Sequence, residues 1–163
     1  MQANELIDEI GGNRAELLGK SAGLPESVLR EKPAPNEWSI IEVLAHHVDV
    51  DYHYLNEALE IGANPEHTFS IFNDETWKAG HTGVGDIPIQ DLMNDLEKSH
   101  RAFLGAVAQL TPEELERTGI HPRRGAYTVR EVLLRLPAHD RNHAEQIESI
   151  REHLGQQRSD RSV

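Results

Sequence analysis

Two histidines four residues apart, His139 and His143, are the residues of this chain best placed to do chemistry. On a helix, side chains at positions i and i+4 lie one above the other, so both imidazoles can reach one metal ion. A third imidazole is available far upstream at His46. If His46 comes from a facing helix, three neutral nitrogen ligands can hold a divalent cation and leave a coordination position open. An open position is typical of a catalytic rather than a structural metal site.

The spacing of His139 and His143 is weak evidence by itself. With 10 histidines in 163 residues, roughly 0.6 such pairs are expected by chance. Their surroundings favour a site, because apolar residues recur at spacings of three and four between residues 136 and 154. The histidines therefore face the apolar side of a helix, where an unpaired imidazole is costly. The alternative, core histidines hydrogen-bonded to carboxylates, stays open at this point.

Helix-start signals recur along the chain. Ser39, Thr111 and Thr128 are each followed by a Glu three residues later, which is a capping box. Together with the apolar periodicity, these signals predict long helices at 3–20, 39–62, 87–110 and 128–155 and a short one at 112–117. We find no strand pattern. Four long helices predict an all-α fold, a four-helix bundle.

The connection between the second and third helices, residues 63–86, is long for a bundle. Antiparallel neighbours need only a few linking residues, so this length predicts a crossover between two parallel helices. We expect the connector to pass over one end of the bundle, where it can act as a lid and determine substrate specificity.

Pro137 interrupts the last predicted helix two residues before His139. Inside a helix, proline removes a backbone hydrogen bond and its ring clashes with the preceding turn, which costs about 3 kcal/mol. We expect either a kink beside the histidines or two shorter helices that meet at Pro137.

Composition excludes several classes of function. The chain has no cysteine, so any thiol in its chemistry must come from a co-substrate. A formal charge of -12 argues against a nucleic-acid partner, since phosphates need clustered Lys and Arg. No apolar run reaches the length of a membrane span, and the N-terminus does not resemble a signal peptide. We expect a cytoplasmic protein with no membrane partner, one domain at 1–155 and a flexible tail at 156–163.

Two motifs carry a family resemblance. The segment Trp38-Ser39-x-x-Glu42-Val-Leu-x-His46 resembles the second-helix signature of the DinB/YfiT-like superfamily. Gly125-x-Tyr-Thr128, followed by His139-Asp-x-x-His143-x-x-Gln146-Ile147, resembles its last-helix signature. The resemblance implies a bundle with up-down-down-up topology that binds a divalent metal, usually Zn²⁺ or Ni²⁺, through three histidines.

Carried over to this chain, the implied ligands are His46, His139 and His143. His46 is preferred to His47 because it follows Trp38 by eight residues, which is the spacing in the family. Asp49 and Asp140 are candidates for second-shell acceptors that orient an imidazole N–H. No general base is evident apart from the metal, so the catalytic residues stay unassigned.

The resemblance implies several functions. Relatives transfer low-molecular-weight thiols such as bacillithiol, use mycothiol to isomerise maleylpyruvate, or are described as metal-dependent hydrolases. Thiol transfer to a small-molecule substrate is the expectation we favour, with a hydrolase as one alternative. A non-enzymatic metal-binding stress-response protein is the other. Family members are often homodimers, so a homodimer is also expected.

Overall fold

The structure is a computed structural model that describes residues 2–162. Its helices are α1 (Ala3–Gly19), α2 (Glu26–Arg30), α3 (Ile40–Ala63), α4 (Asp74–Gly80), α5 (Ile89–Ala108), α6 (Pro112–Leu115), α7 (Val129–Leu133) and α8 (Arg135–Arg161), with a 3-10 turn at Val84–Asp86. Two short strands, β1 (Thr118–His121) and β2 (Gly125–Thr128), form an antiparallel hairpin. The long helices α1, α3, α5 and α8 form the predicted four-helix bundle.

The predicted capping boxes are present. The Ser39 hydroxyl accepts from the Glu42 backbone N–H at 3.2 Å, and the Glu42 carboxylate accepts from the Ser39 N–H at 3.1 Å. Thr111 and Thr128 form the same reciprocal pair with the Glu three residues later. Each box satisfies two backbone groups that would otherwise lack partners, so α3, α6 and α7 begin at the residues the sequence indicates.

Side chains that bridge the helix ends show that α3 and α5 run parallel. Arg30, before α3, donates to the Ile87 carbonyl, before α5, at 2.8 Å. Arg117, after α5, donates to the Gly62 carbonyl in the last turn of α3 at 3.3 Å. Both helices therefore begin at one end of the bundle and finish at the other, as the long connector predicted.

The other two long helices run the opposite way. Three ion pairs fix their directions: Arg141–Glu9 at 3.5 Å, Lys20–Glu148 at 3.5 Å and Arg158–Glu31 at 3.4 Å. The first two pairs join α1 and α8 in the same direction, and the third brings the end of α8 back to the segment before α3. The order is up-down-down-up, which confirms the prediction.

The hairpin corrects the expectation that the chain has no strand. The Phe69 N–H donates to the Ile120 carbonyl at 2.7 Å, and the Ile120 N–H donates to the His67 carbonyl at 2.9 Å, so the hairpin ties down the start of the connector. Gly119 permits this approach, because a Cβ there would lie 2.7 Å from the Ile61 side chain. Strands of four residues are too short to show a clear alternation of apolar residues.

The last predicted helix is divided. α7 ends at Leu133 and α8 begins at Arg135, so Pro137 lies in the first turn of α8, where no intrahelical donor is required. The division, rather than a kink, therefore accommodates the proline. The segment expected as a flexible tail from 156 onward is helical as far as Arg161.

The core has two apolar clusters with a polar layer between them. One surrounds Trp38 and Leu44 near the start of α3, and the other surrounds Tyr54 and Phe103 farther along the bundle. Buried histidines, carboxylates and an arginine occupy the layer between. Among the described helices, none is long and apolar enough to cross a membrane.

Candidate metal centre

Four histidines meet inside the bundle. His46 and His47 come from α3, and His139 and His143 come from α8. One ring nitrogen of each lies within 4.8 Å of those of the others. The three histidines singled out in the sequence are thus brought together, and His47 joins them.

Two of these rings have a defined protonation pattern. The Nδ1 of His46 contacts the Val43 carbonyl, and the Nδ1 of His143 lies 2.5 Å from the Gln146 side-chain oxygen. Each oxygen can only accept, so both Nδ1 atoms carry the hydrogen. In a neutral ring the lone pair is then on Nε2, the atom that points into the cluster. Nε2 of His46 is buried and has no hydrogen-bond partner among the described residues.

Burial favours the neutral form of His46 and His139. It lowers the pKa of His46, against the effect of a nearby carboxylate, Asp74. Burial, opposed by Asp74 and assisted by the neighbouring His143 and His46, lowers the pKa of His139 to about 4. Neutral imidazole is the form that binds a metal, so these rings need not lose a proton first.

Asp74, in the first turn of α4, points its carboxylate at the cluster. Its Oδ1 lies 3.2 Å from His139 Nε2 and 3.4 Å from His46 Nε2, and its Oδ2 lies 3.2 Å from His143 Nε2. Burial raises the pKa of Asp74, and hydrogen bonds donated by His139, His143 and His46 are what would lower that pKa.

When their rings are neutral, neither His46 nor His143 has a hydrogen on the nitrogen that faces Asp74. The lone pairs on their Nε2 atoms point at its oxygens. His139 Nε2 lies 3.2 Å from His143 Nε2, so at most one of these two atoms bears a hydrogen when both rings are neutral. A divalent cation among these atoms would supply the partner that the lone pairs lack. The residues present therefore fit a metal ion of the kind bound by nitrogen and oxygen ligands.

Aromatic and hydrogen-bonding contacts hold α4 over the site. Trp77 Nε1 donates to Asp49 at 2.6 Å, and the Trp77 ring stacks on Trp38 with 5.8 Å between centroids. Asn73 caps the helix by accepting from the Thr76 N–H at 2.8 Å. Asp49, expected to orient an imidazole, instead anchors α4, since helical spacing turns it toward Trp77 rather than into the cluster.

The other expected second-shell acceptor, Asp140, points to the far side of the histidines. It accepts from Arg14 Nε at 2.9 Å, and Arg14 also donates to Asp51 at 2.6 Å. Of the cluster residues, His47 comes near it, with Nδ1 3.1 Å from Asp140 Oδ1 but poorly aligned for a hydrogen bond. Burial, and then nearby His46 and Arg14, lower the pKa of His47 well below its usual value.

Sequence reasoning missed Asp74 and the presence of His47 in the cluster. In the sequence, Asp74 is marked only as an acidic residue that directly follows Asn73, a possible helix cap in the long connector. Nothing in the sequence shows that this helix folds back onto the histidines. His47 is fully buried, like its apolar neighbours on α3.

Comparisons with known proteins identify the family of this chain. Residues 9–147 match the model of the DinB superfamily, which covers most of the chain and all four histidines. The chain belongs to the DinB superfamily. It is 27% identical over 152 residues to the uncharacterized protein YuaE of Bacillus subtilis (strain 168), covering 86% of this chain and 94% of that protein.

Solved structures share the fold at low sequence identity. YfiT from Bacillus subtilis, described as a probable metal-dependent hydrolase with an unusual four-helix bundle topology, matches with a TM-score of 0.76 at 15% identity, covering 94% of this chain and 87% of YfiT. A mycothiol-dependent maleylpyruvate isomerase matches with a TM-score of 0.69 at 12% identity, covering 90% of this chain and 61% of the isomerase. The four-helix bundle protein TT2238 matches at 0.63 and 17%, covering 91% of this chain and 99% of TT2238.

Proposed function

We propose that this protein is a metal-dependent enzyme that transfers a low-molecular-weight thiol to a small electrophilic substrate. Its metal, Zn²⁺ or Ni²⁺, is held by His46, His139 and His143. The observation that carries the proposal is the convergence of imidazole nitrogens inside the bundle, with the Nε2 atoms of His46 and His143 directed at Asp74. Such an arrangement is unfavourable without a cation and favourable with one.

The three neutral ligands leave the cation with its full charge. When bound, such an ion lowers the pKa of a coordinated thiol or water and makes either a better nucleophile near neutral pH. The protein itself orients the rings, through Val43 for His46 and Gln146 for His143, and shields them beneath Trp38 and α4.

A likeness of fold favours a thiol as the nucleophile. The chain has no cysteine, so any thiol in the reaction must be supplied as a co-substrate. A protein of the same fold is a mycothiol-dependent isomerase. A hydrolase is the second candidate, because YfiT, also of this fold, is described as a probable metal-dependent hydrolase.

A substrate panel distinguishes these reactions. Protein loaded with Zn²⁺ or Ni²⁺ is mixed with bacillithiol, mycothiol or glutathione and a model electrophile, and separately with ester and amide substrates without thiol. We expect metal-dependent conjugation that His143→Ala abolishes while the protein stays helical. His53→Ala is the matched control on α3, since its ring bonds to the Ser70 carbonyl outside the cluster.

Two other outcomes have defined meanings. Cleavage of esters or amides without thiol would replace thiol transfer with hydrolysis. If neither reaction exceeds the His143→Ala background, the proposal of an enzyme fails and a metal-binding stress-response role takes its place.

We also propose a cytoplasmic homodimer, following the family resemblance. Light scattering at micromolar concentration should give twice the chain mass of 18.3 kDa. A mass near that of one chain would contradict the dimer and leave the proposed chemistry unchanged.

A further inference from the structure

We infer that Asp74 is a fourth protein ligand of the metal ion and that α4 closes the site through it. The inference rests on the proposed three-histidine centre and adds an oxygen ligand from the connector. Among the described residues, the Asp74 carboxylate contacts all three proposed ligands, at 3.2 Å to His139, 3.2 Å to His143 and 3.4 Å to His46.

These contacts are short enough for Asp74 and the histidines to share one ion. With metal–ligand bonds of 2.0–2.1 Å, neighbouring ligand atoms of a tetrahedral site are about 3.3–3.4 Å apart. Asp74 Oδ1 lies 3.2 Å from His139 Nε2 and 3.4 Å from His46 Nε2, while its Oδ2 lies 3.2 Å from His143 Nε2. Asp74 therefore contacts the same Nε2 atoms that would bind the metal, whereas an outer carboxylate would bind the far nitrogen of a ring.

The alternative fourth ligand, His47, is less well placed. Its Nδ1 lies 3.1 Å from Asp140, on the side where Arg14 holds that carboxylate. A ring nitrogen of His47 lies within 4.8 Å of those of the other three histidines, whereas the oxygens of Asp74 lie 3.2–3.4 Å from the proposed ligands. Charge favours Asp74, because a carboxylate offsets part of the +2 charge that three neutral imidazoles leave.

The position of α4 makes this ligand part of the cover over the site. Asp74 is held over the site by Asn73, which caps α4, and by Trp77, which bonds to Asp49. Asp74 keeps 32% of its side chain exposed, whereas His46 has no exposed side-chain surface. The carboxylate is thus the ligand nearest solvent, and an incoming thiol or substrate must displace it or enlarge the coordination shell.

Metal titration of four variants tests the inference without measuring turnover. Zn²⁺ affinity and the visible spectrum of the Co²⁺ form are compared for wild type, Asp74→Asn, Asp74→Ala and Asp74→Glu. Glu75→Gln is the matched control, since Glu75 is the exposed next residue and loses the same charge. Azide binding to each Co²⁺ form reports whether a coordination position has opened.

Loss of an outer partner costs metal sites about 10–100-fold in affinity, so loss of a ligand should cost at least about tenfold. We expect this loss in Asp74→Asn and Asp74→Ala, together with an altered Co²⁺ spectrum and tighter azide binding. Asp74→Glu should recover part of the affinity, and Glu75→Gln should match wild type.

The possible failures are distinguishable. If Asp74→Ala matches wild type in affinity, spectrum and azide binding, Asp74 is not a ligand, while the three-histidine centre stands. If His47→Leu rather than Asp74→Ala produces these changes, His47 is the fourth ligand and the inference is overturned. If wild type binds neither Zn²⁺ nor Co²⁺, the inference and the proposed function both fail.

Discussion

Two buried polar clusters lie side by side in this bundle, and they differ in whether their partners are complete. In the first, Arg14 binds both Asp51 and Asp140, and the Ser99 hydroxyl donates to Asp51 at 2.6 Å. In the second, the histidine cluster, Nε2 of His46 has no hydrogen-bond partner within residues 2–162, and both ring nitrogens of His47 also lack one there. Consecutive residues of α8, His139 and Asp140, belong to the two clusters.

This difference distinguishes a cluster that stabilises the fold from one that can bind a ligand. A buried charge with complete partners ties helices together without any ligand, as Arg14 does for α1, α3 and α8. A buried cluster without complete partners is unfavourable until a ligand arrives, and here the missing partner has the properties of a divalent cation. The first cluster should therefore control folding, and the second should control metal binding.

The largest expected effect comes from breaking the complete cluster. Arg14→Met leaves Asp51 and Asp140 buried without their cation, which should lower the free energy of unfolding by about 3–5 kcal/mol. Urea denaturation of the metal-free protein measures it. Arg141→Met, which removes a half-exposed ion pair between α8 and α1, should cost less than about 1 kcal/mol. Equal costs would show that the Arg14 cluster is not a structural tie.

Removing the metal should have a smaller effect. At a free metal concentration 100 times Kd, binding stabilises the folded state by about 2.7 kcal/mol. A chelator should therefore lower Tm while helical circular dichroism persists at room temperature, because the capped helices and Arg14 remain. His139→Ala, His143→Ala and His46→Ala should each lose stoichiometric metal and no longer respond to the chelator. Complete unfolding on chelation would instead show that the metal is needed to hold the bundle together.

A conservative change in the complete cluster should have a moderate effect. Ser99→Ala removes one hydrogen bond to Asp51, which keeps its bonds to Arg14. The free energy of unfolding should fall by about 1–3 kcal/mol, since the acceptor is charged. Metal affinity should not change, and calorimetric titration of Ser99→Ala against wild type measures it. A loss of affinity would mean that the two clusters are coupled.

The smallest effect is expected at His47, between the clusters. Both of its ring nitrogens are buried without a hydrogen bond among the described residues, so His47→Leu removes unsatisfied polar atoms from an apolar position. Stability should change by less than about 1.5 kcal/mol, and stoichiometric metal should remain. If this variant alone loses the metal, the choice of His46 on the second helix is wrong.

The features that depend on local sequence patterns could be predicted from the sequence. The capping boxes place α3 and α7, the connector length implies the parallel crossover, and the spacing of His139 and His143 places two imidazoles on one face. Asp74 could not be found in this way, because its position depends on how the connector folds. The buried ion pairs of Arg14 do have a sequence signal, because Arg14 is a charged residue on the apolar face between Ile10 and Leu17.

The measurement that tests the central claim most directly is the metal content and coordination of the purified protein. Elemental analysis should give one divalent ion per chain in wild type and none in His143→Ala. X-ray absorption should show nitrogen or oxygen ligands near 2.0–2.1 Å, with the outer-atom scattering of about three imidazoles. Wild-type protein that carries no metal, and takes up none when Zn²⁺ or Ni²⁺ is supplied, would contradict the account.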